Sequence, residues 1–293
     1  MVKRILCGYG CDIDAVAHFL HTRNGKKPDL ADVSRGCFGA EVGTERLLKL
    51  FAQKNMKASW YIPGHTLESF PKEMAAIRDA GHEIGLHGYT HEEPGTLSAE
   101  QFETVLAKSI ELLTAFTGKK PAGFTAPCWD NHPDQIRLLE KYGIEYDHSF
   151  MHRDFQMYWA PSTEDSYTPT DLSKAPESWM KPMVKAKPSD KVCVVPASWV
   201  FDDWPAFQFN WRIANSQGFV DPRSWEHTVK DSFTYCFENY DTFVFPITVH
   251  PQVSGRPHLL KMHERIIDFI NEHEGVEWVT FEEMAKEFKA GRI

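Results

Sequence analysis

Short apolar runs alternate with longer amphipathic segments along the whole chain. The apolar runs predict strands, and they lie at residues 4–9, 58–62, 84–86, 123–126, 144–147, 192–197, 242–249 and 276–280. The segments between them carry helix signals, such as Ser98 with Gln101 at the start of one helix and Gly118 at its end. This order favours parallel β-α-β units, and a (β/α) barrel is the simplest way to close them.

Two stretches break the alternation. Residues 24–43 contain Pro28 and several glycines, and they predict a loop before a helix that starts at Thr44. Residues 151–190 are rich in proline, serine and aspartate, and they predict a long irregular segment. Neither stretch has the composition of an interdomain linker. We therefore expect a single α/β domain over residues 1–293, with a decorating loop at 151–190 that serves as a lid or an intersubunit contact.

The overall charge narrows the choice of partner. A net charge of -9 argues against the basic surface that nucleic acid or an anionic membrane would need. No apolar run approaches the length of a membrane span, and the first one is too short for a signal peptide. The 6 cysteines form no C-x-x-C pair, which is typical of reduced thiols. We expect a cytoplasmic protein that acts on a small molecule.

Candidate chemistry is concentrated in the stretch Glu83–Glu92, where an apolar strand leads directly into His87 and His91. Two imidazoles and one carboxylate are a common set of protein ligands for zinc and related ions. The carboxylate is found after the first strand, where Asp12 and Asp14 point the same way in extended backbone. The alternatives are ordinary hydrogen-bonded histidines and turn-capping aspartates.

The positions of these residues in the predicted fold favour the functional interpretation. Polar and aromatic candidates all lie at or just after the carboxyl ends of predicted strands, and the set is Asp12, Asp14, His87, His91, Trp129, Trp199 and His250. That end of a (β/α) barrel is where barrel enzymes build their active sites. The sequence therefore predicts one metal site at this rim.

Four motifs in this order, Asp12-Ile13-Asp14, His87 to His91, Thr125 to Cys128 and Thr248 to Pro251, resemble those of the polysaccharide deacetylases of carbohydrate esterase family four. The resemblance covers nearly the whole chain and implies a distorted (β/α)7-8 barrel. It also implies that Asp12 is the general base, that Asp14, His87 and His91 bind the metal, and that His250 is the general acid. The metal could be zinc, cobalt, manganese or nickel.

The resemblance also indicates the substrate-binding residues, and there the chain departs from the family. We expect Cys128, Trp129, Trp199 and Arg35 to contact substrate, with the backbone N–H of Cys128 assisting the metal at the oxyanion. Thr125 stands where the family usually has an arginine that orients the base, and Arg35 or Arg256 could replace it. Cys128 stands where the family usually has a tyrosine; it could be a nucleophile, although packing is the commoner role of such a thiol.

Three functions follow from this pattern. The first is hydrolysis of a small cyclic imide, because the chain most resembles the bacterial cyclic imide hydrolases of this family. An imide nitrogen also leaves readily, so the loss of the arginine is tolerable. The alternative is N-deacetylation of amino sugars from peptidoglycan or chitin. The third is a binding module that keeps the barrel and has lost catalysis. The resemblance also implies a homo-oligomer, either a dimer or a tetramer.

Overall fold

The computed structural model of the protein describes residues 3–21, 27–161, 167–210 and 218–293. Their centre is one mixed sheet with the strand order β6-β7-β5-β4-β3-β2-β1-β8, and β9 pairs with β1. The strands are β1 (Arg4–Asp12), β2 (Ser59–Ile62), β3 (Glu83–Leu86), β4 (Gly123–Phe124), β5 (Tyr146–Asp147), β6 (Tyr158–Pro161), β7 (Pro188–Val194), β8 (Thr242–Val249) and β9 (Val276–Trp278). All neighbouring pairs are parallel except β6 with β7.

Strand β1 organises this sheet. It pairs with β8 along almost its whole length, and its other edge pairs with β9 at Ile5–Cys7 and with β2 at Gly10–Asp12. A strand that is covered on both faces must be apolar throughout, and every residue of β1 after Arg4 is buried. This is why the first apolar run leads directly to the centre of the molecule.

The sheet curls into a distorted barrel. Asp202, which follows β7, forms a parallel bridge with Thr248 in β8, so the two ends of the strand order meet. On the same side, the backbone N–H of Val244 donates to the carbonyl oxygen of Phe155. The predicted fold class, a single distorted (β/α)7-8 barrel domain, is therefore confirmed.

Helices lie between most of the strands. They are α1 (Leu30–Phe38), α2 (Thr44–Gln53), α3 (Gly64–Ser69), α4 (Pro71–Asp79), α5 (Ala99–Thr117), α6 (Gln135–Tyr142), α7 (Asp203–Phe207), α8 (Pro222–Asn239), α9 (Pro251–Ser254), α10 (Pro257–Asn271) and α11 (Phe281–Lys289). The capping box predicted from Ser98 and Gln101 is present at the start of α5, and Gly118 ends that helix in the left-handed conformation. None of the helices among these described residues is long and apolar enough to cross a membrane.

The prediction of a loop over residues 24–43 is wrong for the part after Asp29. Asp29 accepts the N–H of Ala31 and caps α1, which continues through a π-helical turn at Gly39–Gly43 into α2. The glycines that suggested a loop serve close packing instead. A Cβ atom at Gly43 would lie 2.1 Å from the carbonyl oxygen of Pro251, so only glycine lets this helix lie against α9. Residues 22–26 lie outside the described part of the chain.

The segment 151–190 is only partly the irregular loop that its composition predicts. It contains β6 and the first residues of β7, which pair antiparallel with a register shift near Trp159 and Pro161. The run that forms β6 is short and ends at Pro161, so only its pairing with β7 identifies it as a strand. Between the two strands, the described residues 167–187 are mostly exposed.

Candidate metal centre

Three side chains from two loops converge at the carboxyl end of the sheet. Asp14 follows β1, whereas His87 and His91 follow β3. The Oδ1 atom of Asp14 lies 3.3 Å from Nε2 of His87 and 3.5 Å from Nε2 of His91. All three side chains are at least nine-tenths buried. The structure thus brings together the three ligands that the sequence predicts.

These distances fit a metal ion. Ligands bonded at 2.0–2.2 Å to a tetrahedral zinc ion are about 3.3–3.4 Å apart, which agrees with the two separations from Asp14. Moreover, Asp14 Oδ1 and His87 Nε2 are buried atoms that have no hydrogen-bond partner. Buried polar atoms are normally paired, and a cation between them would satisfy both. The donor set of two imidazoles and a carboxylate therefore fits a divalent ion.

The loop after β3 holds its histidines by several local contacts. The Nδ1 atom of His87 lies 2.7 Å from the carbonyl oxygen of Thr125, which can only accept, so Nδ1 carries the proton and Nε2 faces Asp14 with its lone pair. Glu92 accepts the backbone N–H groups of Tyr89 and Thr90. His91 itself has φ +60°, a strained value for this residue. The loop is therefore shaped to direct both imidazoles toward Asp14.

Gln252 in α9 holds the other oxygen of Asp14, and the sequence analysis missed it. Its Nε2 group donates to Asp14 Oδ2 over 3.2 Å, and the side chain is fully buried. This contact leaves Oδ1 for the histidines. The sequence signal for Gln252 was its position two residues after His250, directly after the motif that ends β8.

His250, the predicted general acid, is held by Asp203, a second residue that the sequence analysis missed. The Nδ1 of His250 donates to Asp203 Oδ1 over 2.7 Å, and its backbone N–H donates to Oδ2 of the same carboxylate. Ser254 also donates to Asp203, and His263 stands 2.8 Å behind Ser254. The pair Asp202-Asp203 after a strand was the available signal.

Electrostatics favour a protonated His250. Burial lowers its pKa, but the Asp202 and Asp203 carboxylates raise that pKa well above the ordinary histidine value. Burial also raises the pKa of Asp202 to about 8, and Asp203 makes the shorter contact with the imidazole, 2.7 Å against 3.5 Å from Nδ1. A histidine that keeps a proton at neutral pH is suited to donate it to a leaving group.

Asp12, the last residue of β1, lies between His87 and His250. Its Oδ2 atom is 3.8 Å from Nε2 of His87 and 3.9 Å from Nε2 of His250. Burial raises its pKa to about 6, which suits a group that accepts a proton near neutral pH. Over the described ranges, no arginine lies within the 4.0 Å ion-pair distance of Asp12, so the orienting arginine has no replacement there.

A cleft opens onto these groups. Its walls include Cys128, Trp129 and Trp199, as the sequence predicts, and also His18 and Trp204. The lining does not include Arg35, which pairs with Asp32 and donates to the carbonyl oxygen of Phe209. The structure therefore places three of the four predicted substrate-binding residues at the cleft and Arg35 away from it.

The wall that carries Cys128 and Trp129 is a strained turn. Both residues have positive φ, +55° and +49°, which non-glycine residues rarely adopt. Two side chains hold the turn. Ser149 accepts the N–H of Ala126 at its start, and Asn131 donates to the carbonyl oxygen of Trp129 at its end. Strain of this kind is common at functional sites, where the surrounding contacts enforce it.

Chemically, this arrangement can hydrolyse a carbon–nitrogen bond. The candidate ligands lie close to a carboxylate that can take a proton and to a protonated histidine that can give one, in an aromatic cleft. Together with the barrel, these features define the class of metal-dependent hydrolases that act through an activated water molecule.

Comparison with known proteins agrees with this class. The family model for polysaccharide deacetylase matches residues 38–147. A peptidoglycan deacetylase of Helicobacter pylori is 47% identical over 289 residues, which cover 98% of this chain and 97% of that protein. The peptidoglycan deacetylase-like protein FGM2 of Gibberella zeae is 37% identical and covers 98% of this chain and 87% of its own length. The chain belongs to the polysaccharide deacetylase family, carbohydrate esterase family four.

The solved structure of Puue allantoinase has the same fold. It superposes with a TM-score of 0.76 at 21% identity, and the match covers 98% of this chain and 91% of the allantoinase. A Mycobacterium smegmatis structure described as a polysaccharide deacetylase gives a TM-score of 0.83 at 23% identity, covering 100% and 93% of the two chains. The same barrel therefore occurs in proteins described with different substrates, so the substrate must be argued from the cleft.

Proposed function

We propose that this protein is a metal-dependent N-deacetylase that acts on N-acetylated amino sugars of the peptidoglycan type. The observation that carries the chemistry is the close grouping of Asp14, His87 and His91 with Asp12 and His250, each within 4.0 Å of another member of the set. The substrate class is supported by the 47% identity to a protein described as a peptidoglycan deacetylase.

Asp14, His87 and His91 would hold the ion, with zinc, cobalt, manganese or nickel as candidates. A bound divalent ion supplies a polarised carbonyl and a more acidic water molecule. Asp12 would take a proton from the attacking water molecule as the water oxygen bonds to the acetyl carbon. His250 gives its Nε2 proton to the amide nitrogen as the carbon–nitrogen bond breaks, which yields acetate and a free amine.

The cleft fits the reacting end of such a substrate. Its aromatic walls accommodate an acetamido group between Trp129, Trp199 and Trp204 while a sugar ring extends toward solvent. Tryptophan faces are suited to the apolar side of a sugar or a methyl group. A small acyl group in an aromatic cleft is thus the geometry on which the proposal depends.

Hydrolysis of a small cyclic imide is the second candidate, and a specific observation favours it. No arginine of the described chain orients Asp12, so the base is less constrained than the family pattern implies. An imide nitrogen shares its charge with a second carbonyl, so its departure demands less of the base and acid. The compact aromatic cleft also fits a succinimide or maleimide ring.

The two candidates separate in one experiment. Protein loaded with zinc is incubated with N-acetylglucosamine oligomers, with muropeptides, and with succinimide and maleimide, and acetate release is measured beside loss of imide absorbance. The deacetylase proposal predicts acetate release that disappears in His87→Ala. Imide ring opening without acetate release would transfer the proposal to the cyclic imide, and a metal-loaded protein that does neither would favour a binding module.

A further inference from the structure

His91 stands between two groups of potential ligands. Its Nε2 atom faces Asp14 at 3.5 Å, whereas its Nδ1 atom lies 3.2 Å from Nδ1 of His18. The two nitrogens of an imidazole point in different directions, so the second group lies on the far side of the ring from Asp14. Cys128 belongs to this second group, because a nitrogen of each histidine and the Sγ atom all lie within 4.8 Å of one another.

We propose that His18, His91 and Cys128 form a second cation site, at the mouth of the cleft, for a thiophilic divalent ion such as zinc or cadmium. This site goes beyond the proposed function, which needs only the ion held by Asp14, His87 and His91. Thiolate and imidazole are the ligands that zinc prefers in closed sites, and cysteine selects softer ions over magnesium or calcium.

The distances support this assignment. Two imidazole nitrogens bound to one tetrahedral zinc ion are about 3.3 Å apart, close to the 3.2 Å between the Nδ1 atoms of His18 and His91. The Sγ atom of Cys128 can reach the same ion by rotation about one side-chain bond, without a change in the backbone, because Cys128 is exposed.

The local structure also fixes the direction of the ligands. The ring of His18 packs edge-on against Trp204, with 4.7 Å between centroids, and His21 donates to the carbonyl oxygen of Thr90. These contacts hold the segment after β1 against the loop that carries His91. His91 and Cys128 both have positive φ angles, and a nitrogen of His91 and the Sγ atom of Cys128 lie within 4.8 Å of each other.

Occupation of this site has a defined chemical balance. Binding breaks the S–H bond of Cys128 and the N–H bond between the two imidazoles, and it forms one sulfur–metal and two nitrogen–metal bonds with release of two protons. The ion would then lie among residues that line the cleft, namely His18 and Cys128. The second ion should therefore inhibit hydrolysis by excluding substrate, so that excess zinc acts as an inhibitor.

Cadmium provides a readout that does not depend on activity. Protein that carries one equivalent of zinc is titrated with cadmium, and the ultraviolet cadmium–thiolate charge-transfer band is followed together with metal content by native mass spectrometry. We expect a second ion and a saturable band in the wild type. Cys128→Ser should remove the band, and His18→Gln should weaken cadmium binding beyond the roughly 10–100-fold cost of losing an outer-shell partner.

Cys37→Ser is the matched control, because Cys37 in α1 is the other thiol that is not fully buried. It should keep both the band and the second ion. Circular dichroism of every variant establishes that the fold is intact. A cadmium band that persists in Cys128→Ser, or a folded wild type that binds only one ion, would overturn the second site; neither result bears on the ion at Asp14, whose presence the mass spectra report separately.

Discussion

At the scale of single residues, the pair of His250 and Asp203 determines how well the protein can protonate a leaving nitrogen. Asp203 accepts from both the ring and the backbone of His250, so it fixes the orientation of the imidazole and supplies the adjacent negative charge. Asp202 lies farther from the ring, with 3.5 Å between its Oδ1 and His250 Nδ1. The two neighbouring aspartates therefore differ in what they contribute.

Substitution Asp203→Asn should lower kcat by roughly 10²–10⁴-fold, the range associated with losing effective general acid catalysis. The amide removes the negative charge, so the pKa of His250 falls and the alkaline limb of the pH–rate profile moves to lower pH. Asp202→Asn is the matched control and should cost less, because Asp202 lies farther from the ring than Asp203 and the Oδ1 of the new asparagine can still accept the N–H of Trp204. Equal losses of kcat in both variants would contradict the different roles assigned to Asp203 and Asp202.

Gln252→Leu tests the outer contact of the metal centre. Leucine keeps the volume but removes the donor to Asp14 Oδ2, so we expect metal affinity to fall by roughly 10–100-fold. Competition with a chromophoric chelator measures the dissociation constant. Gln101→Leu, at the cap of α5, should leave metal affinity unchanged. An unchanged dissociation constant in Gln252→Leu would show that Asp14 needs no such support.

Residue types and spacing predict the ligands better than their supports. Asp12, Asp14, His87 and His91 could be found because each lies at or after the end of a strand, and parallel strands bring their carboxyl ends together; the choice of Asp14 as the ligand came from the family resemblance. Gln252 and Asp203 leave only weak sequence signals, since their roles depend on which loops meet in space. Arg35 pairs with Asp32 in α1 and does not line the cleft, a placement that the sequence around it does not indicate.

At the scale of the elements, the helical run from Leu30 to Gln53 positions α9 and, through it, Gln252. Composition predicted a loop for its first half because glycine is common in loops. In the structure, Gly39 and Gly43 face α9 instead, with a Cβ at Gly39 falling 2.9 Å from the side chain of Gln252. A packing requirement of this kind cannot be read from local sequence, because it depends on a contact partner about two hundred residues away.

Gly43→Ala should therefore destabilise the protein by about 1–3 kcal/mol, the usual cost of overpacking a tight contact. The added methyl group would overlap the carbonyl oxygen of Pro251, so the helix and α9 must separate. Urea denaturation measures the change in the free energy of unfolding. Ser34→Ala on the exposed side of α1 serves as the control and should stay within about 0.5 kcal/mol of the wild type. An unchanged free energy of unfolding in Gly43→Ala would contradict the tight contact between this helix and α9.

At the scale of the whole molecule, the alternation of strands and helices predicts the barrel, whereas strand boundaries and the antiparallel β6 come only from the structure. Strand β1 extends to Asp12, so that residue is paired in the sheet instead of lying beyond it. Strand β6 is visible only through its partner, since a four-residue run that ends at a proline has little pattern of its own. The cytoplasmic location, the homo-oligomer and the cyclic imide substrate stay predictions.

Three buried histidines should lose their contribution to stability over a defined pH window. Burial lowers the pKa values of His82, His148 and His263 to about 4 in the folded protein, against about 6.5 in the unfolded chain. Between pH 6.5 and 4 each of these histidines binds a proton more readily in the unfolded chain, so the stability that their neutral forms contribute is lost as the pH falls through this range.

His82→Gln isolates one of these contributions away from the cleft. Glutamine can still accept the N–H of Ala58, as Nδ1 of His82 does, but it does not titrate. Denaturation by urea at several pH values between 4 and 7 should show a shallower loss of stability in the variant than in the wild type. Parallel pH dependences would contradict the assignment of a lowered pKa to His82.

The central claim is that Asp14, His87 and His91 hold one catalytic ion. The most direct test measures metal content by inductively coupled plasma mass spectrometry, together with hydrolysis, for the wild type, His87→Ala and Asp14→Asn purified in parallel. We predict one tightly held divalent ion per wild-type chain, loss of that ion in both variants, and hydrolysis that follows metal content when the wild type is stripped and reloaded. Hydrolysis that persists in metal-free protein, or a variant that keeps its tightly held ion, would contradict the account.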